Sequence, residues 1–75
     1  MEYIKEYSLD KLYQKIFGKN VHFISDCEFF PNFNVVIKVN DISINRNEIL
    51  IKGHTKNNKN LTIGSNMKNL QFEVL

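Results

Sequence analysis

The feature that most constrains this chain is a change of hydrophobic period at Gly18. Before it, Leu9, Leu12, Tyr13, Ile16 and Phe17 recur at i, i+3, i+4, i+7 and i+8. That spacing lines one face of an α-helix. Asp10, Lys11, Gln14 and Lys15 fall on the other side. Ser8 supplies an N-cap oxygen and Gly18 a residue at ease in the left-handed region, so the spacing predicts a helix over 8–18. Residues 2–7 read either as an extension of this helix or as a short strand.

After Gly18 the period is 2, the repeat of a strand whose two faces differ. Val21, Phe23, Cys27 and Phe29 share one parity; His22, Ile24, Asp26 and Glu28 share the other. Phe33, Val35, Ile37 and Val39 alternate with Asn34, Val36 and Lys38. Pro31-Asn32 between the runs predicts a hairpin turn. "VND" at 39–41 and "NRN" at 45–47 read as further turns, bounding a short strand at 42–45 and a longer one at 48–55. Asn57-Asn58 centres a hairpin tip at 56–59, followed by a strand at 60–64. Residues 65–69 read as a single helical or 3₁₀ turn. A last strand at 70–75 places Leu70, Phe72 and Val74 inward.

These elements predict one mainly β (α+β) domain over 1–75: an N-terminal helix, then about five short antiparallel strands over 21–75. Strands at such close spacing suit a small barrel or a rolled sheet, since closure removes exposed edges. The order resembles the Sm-like small barrel, and Leu50-Ile51-Lys52-Gly53 is similar to that family's second motif, an aliphatic run followed by a basic residue and glycine. In that family the motif lies just before the last strand, whereas here a hairpin and another strand follow. The family's first-motif Asp and Asn have no counterpart. The resemblance implies the barrel architecture, and no RNA-binding residue is carried across.

A chain of 75 residues buries only about 60% of the surface its unfolded form exposes. Self-association or a bound partner is a common remedy for the thin stability that results. One Cys excludes an intrachain disulfide, and one Cys with two His is a poor set for structural zinc. The start "MEYIKEY" lacks the apolar run of a secretory signal, and no apolar run is long enough for a membrane span. The expected location is therefore the cytoplasm, and the sequon at Asn60-Leu61-Thr62 reads as chance.

Cys27 fails as a nucleophile: His22 lies on the opposite strand face, and Asp26 and Glu28 disfavour a thiolate. Its parity with Phe23 and Phe29 predicts burial. Asp26 and Glu28, spaced i, i+2 and so roughly 6–7 Å apart on one face, fit a solvated strand or a basic partner. Phe30, beside Pro31, reads as a plug for the barrel mouth or as an anchor for a partner. Ile24, Val36 and Leu50 share outward parity, and on neighbouring strands they would make an outer aliphatic patch, which the helix covers or a partner meets. "FEVL" at 72–75, if an edge strand, pairs with another copy. Lys52, His54, Lys56 and Lys59 form a basic hairpin able to track phosphates, with a net chain charge of only +2. No catalytic, metal or cofactor-binding motif is present.

The expectation is a non-catalytic interaction protein, an accessory factor or stoichiometric inhibitor. It binds another protein or itself through Asp26, Glu28, Phe30, Ile24, Val36 and Leu50. A phage or mobile-element origin fits the size and the Asn-, Lys- and Ile-rich composition. The alternative is a nucleic-acid binder using Lys52, His54, Lys56 and Lys59.

Overall fold

The computed structural model describes residues 1–26 and 32–75. Cys27, Glu28, Phe29, Phe30 and Pro31 lie outside the described residues, so the expectations placed on them stand as stated. The described chain is mainly β: β1 (Glu2–Tyr3), a 3₁₀ turn (Ile4–Glu6), α1 (Leu9–Ile16), β2 (Asn20–Ser25), β3 (Phe33–Asn45), β4 (Glu48–His54), β5 (Asn60–Gly64) and β6 (Gln71–Val74). The six strands form one antiparallel sheet in the order β1-β6-β2-β3-β4-β5. The sheet is open, with β1 and β5 at its edges. The expected barrel is not closed, because no ladder joins β5 to β1. No helix among the described residues is long and apolar enough to cross a membrane.

The helix begins where the sequence places it. Ser8 Oγ accepts the Lys11 amide at 3.4 Å, and Gly18 takes φ +76° after the last turn. It is shorter than expected, 9–16, because Phe17 is already extended at ψ 130°. Leu12 and Ile16 are buried in the same core as Val21, Phe23, Ile37 and Phe72. The helix therefore covers the inner face of the sheet and leaves the outer aliphatic residues uncovered. Tyr13 and Phe17, also on the apolar stripe, stay exposed and stack on each other with ring centroids 4.4 Å apart.

One long strand replaces the two expected over 33–45. "VND" is a β-bulge, not a turn: Val39 lies opposite Gly53 and Asp41 opposite Lys52, which leaves Asn40 as the extra residue. A bulge shifts the alternation by one. Val39 and Ile42, three apart, are therefore both buried. The first half of β3 pairs with β2 and the second with β4. Both backbone groups of Val39 bond to the segment after the helix: Gly18 N–H donates to its carbonyl at 2.9 Å, and its own N–H donates to Lys19 at 3.0 Å. Arg46 and Asn47, both at positive φ, make the two-residue turn into β4. Asn58, at φ 62°, sits in the 55–59 turn, whose Lys59 amide donates to Thr55 Oγ1.

Residues 65–69 form consecutive turns rather than a helix, and side chains pin them. Ser65 Oγ accepts the Ile49 amide at 2.9 Å, and Ser25 Oγ donates to the Lys68 carbonyl at 2.7 Å. This crossing inserts β6 between β1 and β2, so "FEVL" lies inside the sheet and is not an edge. Leu70 and Phe72 point into the core as expected, with Val74 packed against it.

The N-terminal strap closes over this end. Ile4 is buried, and its amide donates to the Leu70 carbonyl at 3.1 Å. The Tyr7 hydroxyl donates to Glu2, Lys15 Nζ lies 3.0 Å from the same carboxylate, and the Tyr7 ring meets Phe72 edge-on. Donation from Tyr7, then from Lys15, holds Glu2 below its usual 4.5. The bond to Glu2 also raises both Tyr7 and Lys15 above their usual values.

Two predictions follow from these contacts. A Cβ at Gly53 would overlap the Lys38 carbonyl oxygen and lie 3.0 Å from Ile37 Cδ1. Gly53→Ala should therefore lower unfolding free energy by about 1–3 kcal/mol in a denaturant titration. Because the Glu2 pKa is depressed, its stabilising contribution is complete above 4.5 and is lost as pH falls through the folded value. The hydrogen-exchange protection factor of the Ile4 amide should drop as pH is lowered below 4.5, and Glu2→Gln should abolish the drop.

Candidate binding face

The sheet's outer face, away from the helix, carries the polar parity of each strand. Asn20, His22 and Ile24 come from β2, and Asn34, Val36 and Lys38 from β3 ahead of the bulge. Leu50, Lys52 and His54 come from β4. His22 Nε2 lies 2.6 Å from Asn34 Oδ1 across the β2–β3 ladder.

The register places Lys38 opposite His54 and next to Asn20. Around this pair lies a groove of about 620 Å³. Val36 and Leu75 supply its apolar surface, and Lys38, His54, Lys56 and Asn58 its polar rim. Val36 is 42% exposed and Leu75 68% exposed. Among the described residues, no carboxylate side chain and no Phe, Tyr or Trp ring lines it. The local causes are plain. Lys38 is the last outward residue before the bulge at Asn40, and the Thr55–Lys59 turn, closed by the Thr55 amide on the Lys59 carbonyl, brings Lys56 and Asn58 to the same groove as His54.

Of the basic set read from the sequence, His54 and Lys56 thus come together. Lys52 is the next outward residue along β4 but sits opposite Asp41, and Lys59 lies beyond the rim. The sequence reading did not single out Lys38. Its outward parity was visible, but its place beside His54 depends on the β3–β4 register, which the bulge sets.

The aliphatic set is dispersed. Val36 faces His22, with Ile24 one outward position along β2. Leu50 faces Ser43, seven residues further along β3. Ile24 and Leu50 are half-buried. Val36 is the one of the three that reaches the groove. Asp26 is exposed but engaged: its amide donates to the Lys68 carbonyl at 3.1 Å, and Asn69 Nδ2 donates to its carboxylate at 3.4 Å. Its partner in the expected acidic pair, Glu28, and the anchor candidate Phe30 lie outside the described residues.

Among the described residues, no group of three or more His, Cys, Asp or Glu side chains is placed to hold a metal ion. No buried side-chain nitrogen or oxygen there lacks a hydrogen-bond partner. Comparison with protein-family models, with curated proteins and with solved structures gave no match.

Proposed function

We propose that this chain is a non-catalytic binding protein that engages an acidic segment of another protein through the groove on its outer sheet face. The observation that carries this reading is the pairing of an exposed apolar floor, Val36 and Leu75, with a rim of Lys38, His54 and Lys56. Exposed aliphatic surface gains from burial against a partner's side chain at about 25 cal/mol per Å². A rim of one charge sign steers and orients an oppositely charged partner. A role as accessory factor or stoichiometric inhibitor is compatible with such a surface.

Nucleic acid is the second reading, favoured by Lys38 and Lys56 with Lys52 and Lys59 beside them. Affinity for single strands rests on aromatic rings that stack with bases. Apart from the His54 imidazole, the groove presents aliphatic residues where those rings would be needed, and this ranks the protein partner first.

Selection from a random peptide library tests the order. The enriched sequences should carry Asp or Glu around one large apolar residue. Val36→Asp combined with Lys38→Glu should weaken their binding at least about tenfold, the equivalent of ~1.4 kcal/mol, with the circular dichroism spectrum unchanged. Salt-sensitive binding of oligothymidylate with no peptide enrichment would install the second reading instead. Peptide binding indifferent to the double variant would remove the groove from both.

A further inference from the structure

The two edges of the sheet are not alike. β1 is two residues long and turns at once into the 3₁₀ segment, so it offers little to pair with. β5 is five residues, Asn60–Gly64, with neither a charge nor a proline. Natural edge strands are usually protected by lysine, proline, a bulge or shortness, because unpaired backbone groups template another strand. β5 has no such protection within its length.

Which of its groups are free follows from the ladder. At one end, Thr55 N–H donates to the Lys59 carbonyl at 2.9 Å; at the other, Ser65 N–H donates to the Ile49 carbonyl at 2.9 Å. Bonded pairs alternate along an antiparallel ladder. Leu61 and Ile63 therefore bond to β4, while Asn60, Thr62 and Gly64 direct their N–H and C=O groups outward; of these, the Gly64 carbonyl already accepts the Met67 amide at 3.1 Å. Asn60 and Thr62 are also exposed.

We infer that β5 pairs antiparallel with β5 of a second copy, Thr62 meeting Thr62 across a two-fold axis, which joins two six-stranded sheets into one. This register sets Asn60 against Gly64 of the other copy, so the outward amides of Asn60, Thr62 and Gly64 each face a carbonyl, with the Gly64 carbonyl taking a second donor beside the Met67 amide. The axis falls between identical residues, as a closed symmetric dimer requires. The two Lys52 residues flank the axis three strand spacings apart, roughly 14 Å. That exceeds the screening length of about 8 Å at physiological salt, so they do not oppose the pairing. Both grooves then open on the same face of the continuous sheet. This pairing does not depend on the groove having a partner.

The test is sedimentation equilibrium of the wild-type chain and of Thr62→Lys and Thr62→Glu. Thr62 is exposed and does not line the groove. Either change sets like charges directly opposite each other in the dimer. Within one chain Thr62 faces Lys52, so Thr62→Lys also meets a like charge there whereas Thr62→Glu meets an opposite one, and weaker association shared by both variants reports the dimer contact. The wild type should show a monomer–dimer equilibrium about the 8.9 kDa chain. Each variant alone should dissociate about five- to tenfold more readily, and an equimolar mixture of the two should restore the dimer as a heterodimer. Amide exchange at Asn60, Thr62 and Gly64 in the wild type should slow as concentration rises, a readout that needs no variant. A wild type that stays monomeric at millimolar concentration overturns the inference. So does a dimer that both variants leave unchanged, or one whose formation leaves those three amides unprotected.

Discussion

The structure depends on one extra residue. Asn40 adds a step to β3 that β4 does not match, and the consequences reach both faces of the sheet. Without the bulge, a strand with Val39 inward would turn Ile42 out to solvent. With it, Val39 and Ile42 both enter the core, and one thirteen-residue strand serves β2 on one side and β4 on the other. Beside the bulge, opposite Val39, position 53 has no room for a Cβ, which would overlap the Lys38 carbonyl oxygen. Val39 also bonds through both backbone groups to Gly18 and Lys19, so the bulge fixes where the helix ends and hence where Leu12 and Ile16 meet the core.

The same step creates the outer groove. Lys38, the last outward residue before the bulge, faces His54, and the 55–59 turn carries Lys56 over the pair. The opposite end of the sheet is held by polar contacts in addition to the buried Ile4, Leu70 and Phe72. Ser25 and Ser65 tie down the turns before β6, and Glu2, Tyr7 and Lys15 clasp the N-terminal strap to the helix. A chain this short buries a limited share of its surface. Hydrogen bonds that lock its connections therefore matter more than they would in a larger core.

Much of the local structure was legible in the residues. The helix announced itself through Leu12 and Ile16, its cap through Ser8 and its stop through Gly18. The alternation of Val21 with Phe23, of Ile37 with Val39 and of Leu70 with Phe72 marked inward faces correctly. What could not be read was phase and order. A parity break at Asn40 looks the same whether the chain turns or bulges, because both shift the alternation by one, and "VND" has the polar residues of a turn. The place of β6 between β1 and β2 rests on long-range pairing that no local pattern encodes. An open edge at β5 and a "FEVL" strand paired on both sides follow from that order. The groove was only half visible: His54 and Lys56 stood out as a basic run, whereas Lys38 and Val36 join them through register alone.

Deletion of Asn40 tests this account most directly, read by the two-dimensional amide spectrum and by thermal unfolding. The account predicts loss of the cooperative fold, because no single phase of a shortened β3 can bury both Val39 and Ile42 while keeping the ladders to β2 and β4. A deletion variant with dispersed resonances and wild-type stability would show that the bulge is incidental. The placement of the helix, the inner face and the groove would then need another cause.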